Sequence, residues 1–156
     1  MAFVDYKKVF NSVSHTVLET KLEREFGIRG PLSDWLKSYL KGRQQMTIVS
    51  GVPSEIRPVS YDIPQGSVLG PTLFSMFMND LPTSVVSGSV YMFADDNTIY
   101  CISTSGDKAT AQLNLAMQKL YSWSLTNRLT PNPDKGEAML ISRKNPIGPI
   151  SIKWVT

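Results

Sequence analysis

One cysteine and one histidine are all the thiolate and imidazole ligands this chain of 156 residues has. Cys101 has no partner for an internal disulfide, and with His15 as the sole imidazole a zinc site of the usual kind is excluded. Long apolar runs are also missing. None approaches the roughly 20 residues that span a bilayer, and the start, MAFVDYKK, has neither an apolar h-region nor a small-residue cleavage site. These absences predict a soluble intracellular chain, neither secreted nor membrane-spanning, with nucleus and cytoplasm equally open. Charge is not gathered into a tail: the net charge is +3, and the 16 Lys and Arg are spread along the sequence. That balance permits a polyanionic partner without requiring one. There is no internal repeat, low-complexity segment or linker, and 42% hydrophobic residues suffice for the core of one domain.

What is present alternates between strand and helix patterns. Ala2 to Tyr6 reads as a strand with Asp5 near its end, followed by a helix through Val13, Val17, Leu18, Leu22 and Phe26 that Gly27 stops. Gly30-Pro31 opens a second helix with Leu32, Trp35, Leu36, Tyr39 and Leu40 on one stripe. Gln44 to Ser50 and Ser54 to Ile63 read as a hairpin around Gly51-Val-Pro53. The turn cluster Ile63-Pro-Gln-Gly-Ser67 leads into a helix carrying Leu73, Phe74, Phe77, Met78 and Leu81, with Pro82 as its limit. Val90 to Ala94 and Thr98 to Ile102 form a second hairpin with Asp95, Asp96 and Asn97 at its tip. A long amphipathic helix runs from Gly106 through Ala109, Leu113, Ala116, Met117, Leu120 and Trp123. After a loop from Asn127 to Lys135, strands are expected over Glu137 to Ser142 and Pro149 to Val155. With the first hairpin taken as an insertion and one early helix as extra, the order is strand, helix, strand, strand, helix, strand. The fold class is α+β: a split βαβ (ferredoxin-like) antiparallel sheet with helices on one face plus an inserted β-hairpin. Such a sheet lays the first strand beside the central hairpin and brings Asp5 toward Asp95 and Asp96.

Two adjacent carboxylates are a poor choice for a tight turn, which prefers Asn-Gly or Asp-Gly, and they repel each other. An isolated Asp-Asp is most often simply solvated. A third carboxylate on a neighbouring strand changes this, because the cluster then makes a hard oxygen site for Mg²⁺. Two such ions about 3.5–4 Å apart activate an attacking hydroxyl and neutralise a leaving pyrophosphate.

Four stretches, Phe3-Val-Asp-Tyr-Lys-Lys-Val-Phe10, Ile63-Pro-Gln-Gly-Ser-Val-Leu-Gly-Pro-Thr-Leu-Phe74, Phe93-Ala-Asp-Asp96 and Trp123-Ser-Leu-Thr-Asn127 through Asn132 to Lys135, resemble in order and spacing the palm motifs of reverse transcriptases. The look is that of non-LTR (LINE-like, jockey-type) retrotransposons, and it covers nearly the whole chain. The resemblance implies an RNA-directed DNA polymerase palm in which Asp5 and Asp95 bind two Mg²⁺ ions, for which Mn²⁺ is a substitute, and Asp96 completes the acidic cluster. It further implies that Phe10 closes the floor of the nucleotide pocket and excludes a ribose 2′-hydroxyl. Pro64, Gln65 and Gly66 would lie against template and incoming nucleotide, and Lys135 near the triphosphate, where it donates a proton to pyrophosphate. RNA template, DNA primer and deoxynucleoside triphosphate (dNTP) are the implied partners. Plainer readings stand beside these: Phe10 as a core aromatic, Gly66 as a turn glycine, Gln65 and Lys135 as surface residues. His15 is expected as a packed or helix-start imidazole without chemical role, Trp123 and Met117 as core, and Lys7 and Lys8 as a solvated pair within reach of phosphate.

Residues 1–156 match a partial domain, the palm without the N-terminal part of the fingers, the thumb or the endonuclease, so that another chain is one source for the missing parts. Asn11, Val9, Asp62 and Gly136 depart from residues common in the family: an acid, a small Ala, a Gly and a Thr. The rival reading is a catalytically inactive remnant that at most binds nucleic acid. An unrelated two-metal phosphohydrolase is a third, which needs the acids but not the Pro-Gln-Gly string.

Overall fold

The computed structural model describes residues 1–64, 66–143 and 151–153. In chain order it contains β1 (Ala2–Val4), α1 (Val9–Ser12), α2 (His15–Phe26), α3 (Pro31–Leu40), and the short strands β2 (Gln44–Gln45), β3 (Ile48–Val49), β4 (Val52–Pro53) and β5 (Arg57–Pro58). There follow α4 (Gly70–Met78), α5 (Leu81–Ser84), β6 (Ser89–Phe93), β7 (Asp96–Tyr100), α6 (Gly106–Thr126), a 3-10 turn at Pro133–Lys135, and β8 (Glu137–Ala138). The fold is α+β with antiparallel sheets, and the chain forms two compact units: Met1–Val9 with Met78–Thr156, and Phe10–Phe77. No helix among the described residues is long and apolar enough to cross a membrane.

In the first unit four strands lie in the order β6-β7-β1-β8, each antiparallel to its neighbour. Period-two alternation decides which side is covered. Ala2, Val4, Asn97 and Ile99 are buried, whereas Tyr91 and Phe93, on the other face, are 67% and 84% exposed. Helix α6 packs on β7, and α5 on β6 and α6. Leu113, Ala116, Met117, Leu120 and Trp123 turn inward at the three- and four-residue spacing of an amphipathic helix, so Met117 and Trp123 are core as their spacing predicts. Each large side chain buried this way stabilises the unit by about 1.5–3 kcal/mol relative to exposure. One strand expectation is corrected and another is largely outside the described residues. The pairing of β8 ends at Ala138; beyond Met139, which bonds with Met1 in both directions, no described strand runs alongside. The strand expected over Pro149 to Val155 lies largely outside the described residues, and 151–153 form none.

In the second unit α2 ends where the sequence predicts: Gly27 takes φ +66° and its N–H caps the carbonyl of Leu22. The helix packs on α3, with Leu18, Leu22, Leu36 and Leu40 buried. Only half of the expected α3 stripe is covered, since Leu32 and Trp35 remain 53% and 54% exposed. Lys21, on the inner face of α2, is unexpectedly buried; its Nζ donates to the Phe77 carbonyl at 2.8 Å and lies 4.9 Å from the Phe77 ring centre. The hairpin expected over residues 44–63 is present as two short nested antiparallel ladders, β2–β5 outside and β3–β4 inside, rather than two continuous strands. Its turn is Ser50-Gly51, with φ +50° and +82°, the pair of positive angles that a two-residue turn uses, which puts Val52 and Pro53 into a strand. Pro53 and Pro58 have no N–H to extend either ladder. Helix α4 stops at Met78, and Pro82 does not limit it but occupies the first turn of α5, where an N–H has no helical partner anyway.

Candidate active site

The register of β1 on β7 ends with Val4 opposite Asn97. One residue further along the two strands stand Asp5 and Asp96. Asp96 opens β7 opposite Phe93, so the turn of the hairpin is Ala94-Asp95 and not the Asp95-Asp96-Asn97 tip that the sequence predicts. A two-residue turn needs positive φ, and Ala94 supplies it at +54°, at a cost of about 1 kcal/mol for a residue with a Cβ. Asn97 is a buried strand residue; its Nδ2 donates to the Asp95 carbonyl at 2.8 Å and fixes the turn, while its Oδ1 has no hydrogen-bond partner.

Asp5 is held from its other side by the loop before β8. Lys7 N donates to Thr130 O at 2.9 Å, Asn132 N to Asp5 O at 2.9 Å, and Tyr6 pairs with Pro131. The buried Tyr6 hydroxyl shares a 3.1 Å hydrogen bond with Ser124 Oγ on α6; burial pushes its pKa up to about 12, against the smaller opposing effect of that bond. Lys135 ends the 3-10 turn, with Nζ 3.0 Å from Asp5 Oδ2. The contact is an ion pair without hydrogen-bond alignment, because Oδ2 is buried and accepts no hydrogen bond. The lysine side chain is 69% exposed, so screening leaves the pair worth no more than about 1 kcal/mol.

Lys135 thus meets Asp5 just beyond the end of β1, while Asp96 opens the neighbouring strand β7 and Asp95 lies in its turn. Among the described residues no three Asp, Glu, His or Cys side chains are gathered closely enough to hold a metal ion. In kind, however, the residues fit one. The donors are all carboxylates, which suit a hard ion such as Mg²⁺, and Asp5 Oδ2 is a buried oxygen with no hydrogen bond, faced by a cation.

Phe10 and Gly66 belong to the second unit. Phe10 stacks on Phe74, ring centres 4.3 Å apart, and its carbonyl accepts Ile63 N at 3.1 Å; the packing role expected of it is present. Gln65 lies outside the described residues. Gly66 takes φ +76°, and a Cβ there would meet nothing within 4 Å, so backbone conformation rather than crowding selects glycine. Ser67 and Gly70, which the sequence analysis quotes but gives no role, build this loop: Ser67 Oγ donates to Pro64 O at 2.7 Å and accepts from Gly70 N at 3.0 Å. A Cβ on Gly70 would stand 2.9 Å from the Pro64 carbonyl oxygen. Asn97 and Asn132 are the other residues missed. For Asn97 the sequence signal is that an asparagine side chain beside a turn commonly bonds the backbone, whereas Asn132 acts through its backbone N–H and carbonyl. His15 is the packed imidazole expected, with Nε2 donating to the Asp62 carbonyl at 2.8 Å. Asp62 itself sits at φ +124°, a conformation that favours glycine, and burial raises its pKa against the opposing charges of Arg43 and His15.

Residues 1–154 match the family described as "Reverse transcriptase (RNA-dependent DNA polymerase)". The "RNA-directed DNA polymerase from mobile element jockey" of Drosophila melanogaster is 33% identical over 141 residues, 86% of this chain and 15% of that protein. Its Drosophila funebris counterpart is 30% identical over 140 residues, 85% of this chain and 15% of the relative. The "Probable RNA-directed DNA polymerase from transposon BS" of Drosophila melanogaster is 32% identical over 140 residues, with the same two shares. The chain therefore spans 15% of the length of these curated relatives. The resemblance to jockey-type elements, drawn from four motifs, is borne out by these matches over most of the chain. With the motifs in register and the match running almost end to end, this chain belongs to the reverse transcriptase (RNA-dependent DNA polymerase) family.

Proposed function

We propose that this chain is the palm of an RNA-directed DNA polymerase, in which a DNA primer 3′-hydroxyl on an RNA template attacks the α-phosphate of a dNTP and pyrophosphate leaves. The observation that carries this reading is the juxtaposition of Asp5 and Asp96 at the ends of adjacent strands, next to Asp95, in a chain of this family. The strand order supports the palm: counted along the chain, the four strands of the first unit lie in the order 2-3-1-4, the first strand beside the central hairpin, as a split βαβ sheet has it. Asp5, Asp95 and Asp96 hold the divalent ions, Mg²⁺ with Mn²⁺ as substitute. When bound, the ions lower the pKa of the attacking hydroxyl and neutralise charge on the leaving group. Lys135 meets the triphosphate and gives a proton to pyrophosphate. Phe10 floors the nucleotide pocket against a 2′-hydroxyl, and the Gln65-Gly66 backbone approaches template and nucleotide, which a glycine without a crowding neighbour allows. Grip on primer and template comes from fingers and thumb, in the same polypeptide or another chain, since positioning supplies much of phosphoryl-transfer catalysis.

Primer extension on an RNA template with Mg²⁺, beside an Asp95→Ala, Asp96→Ala double variant, tests the reading. Extension is expected and is lost in the variant. A folded chain that binds the duplex yet never extends it would make this protein an inactive remnant of the family.

A further inference from the structure

Lys135 is held at Asp5 by backbone attachments on both sides of it. Before the lysine, Lys7 N to Thr130 O, the Tyr6–Pro131 bridge and Asn132 N to Asp5 O fasten its loop to the end of β1. The 3-10 turn is closed by Lys135 N to Asn132 O at 3.3 Å and Gly136 N to Pro133 O at 3.2 Å, and β8, which pairs with β1, follows at once. The loop is therefore clasped to β1 at two points. Between them the ammonium reaches 3.0 Å from Asp5 Oδ2. That oxygen is buried and takes no hydrogen bond, so positive charge is what its surroundings offer it. The lysine side chain is 69% exposed and open to solvent on its outer side. It can leave the carboxylate and be solvated without rearrangement of the fold. An ammonium and a divalent ion at contact distance of one carboxylate oxygen repel each other, so each weakens the other's hold on it.

We propose that Lys135 is a built-in counter-ion of Asp5, which a divalent cation displaces when it binds that carboxylate, so that the lysine sets how much of the ion is needed. The proposal rests on the reading of Asp5 as a metal ligand. It gives Lys135 a positioning role before any substrate arrives, separate from contact with phosphate.

The test is Mn²⁺ binding to the full chain without nucleotide or nucleic acid, followed by the electron paramagnetic resonance of the free ion, with circular dichroism to check folding. Lys135→Met is expected to bind Mn²⁺ roughly two- to fivefold more tightly than the unmodified chain, the range a screened ion pair allows. Lys135→Arg, which keeps the charge, stays close to the parent, and Asp5→Asn weakens binding. Lys7→Met removes the same charge two residues from Asp5 and is expected to change binding less than Lys135→Met. Equal tightening by both methionine variants would reduce the effect to general electrostatics and overturn the proposal. So would unchanged or weaker binding in Lys135→Met while Asp5→Asn still weakens it, an outcome that leaves the metal reading standing. If Asp5→Asn binds as the parent does, or no variant binds, Asp5 is not a ligand and both readings fail together.

Discussion

Asp62 shows what one departure from a family pattern does physically. Glycine often stands at this place, and the backbone here takes φ +124°, which an L side chain rarely adopts. The strain is held by Asp62 N donating to Val13 O, by His15 on its carbonyl, and by the next residue bonding to Phe10. Asp62→Gly is expected to raise stability by about 1 kcal/mol, the relief of strain less the added freedom of glycine in the unfolded chain. Urea unfolding midpoints measure it. The sign of its pH dependence follows from the raised carboxyl pKa. A group whose folded pKa lies above its unfolded value contributes stability at low pH and loses it as pH rises. The advantage of the glycine variant should therefore be larger at neutral pH than below about pH 3.9, the unfolded value, where the carboxyl is protonated in both states. A gap that widens on acidification would contradict the burial effect. Lys135 and Asp5 stand at the same scale, where one ion pair links a loop lysine to a strand-end acid.

At the scale of elements, one short turn in each unit holds candidate residues in place. The hairpin turn is one residue tighter than the sequence suggests because Ala94 accepts positive φ and Asn97 ties the turn from within the strand. The entry to α4 depends on Ser67 and on the absence of a side chain at Gly70. Gly70→Ala brings a Cβ to 2.9 Å from the Pro64 backbone oxygen, so Pro64 or the start of α4 must shift. A loss of about 1–3 kcal/mol is expected from such overpacking. Thermal unfolding measures it, and an unchanged midpoint would mean that the loop yields freely and does not hold Gly66 in place.

At the scale of the molecule, a net charge of +3 without a concentrated basic patch in the sequence limits what electrostatics alone can do. Binding of an RNA–DNA primer–template duplex to this chain is expected to be weak and salt-dependent, with a log–log slope no steeper than about −4, a handful of phosphates neutralised. Fluorescence anisotropy between 50 and 200 mM salt, about the range over which such slopes are read, provides the measurement. A much steeper slope would point to a basic surface assembled by the fold that the dispersed sequence positions hide. The chain spans 15% of its curated relatives, so its grip on nucleic acid is not to be equated with theirs.

The motif string, the helix periods and the glycine stops were legible because each is local: Gly27 ends α2, Met117 and Trp123 face inward, and the four motifs identify the family in order along the chain. Local chemistry also suffices to name Asp5, Asp95 and Asp96 as candidates, whereas Lys135 is named only by the family resemblance. Where the hairpin turns, that Asn97 is buried, that Lys21 lies inside, and that Ser67 and Gly70 shape the loop were not legible. Each depends on what stands across a strand or beyond a turn, and a one-residue change of register reverses which side chains are inside. The sequence by itself determined the family and the acidic residues on offer; only the tertiary structure decided that Asp5 and Asp96 end adjacent strands and that Lys135 is clasped against Asp5, because those contacts join segments far apart in the chain.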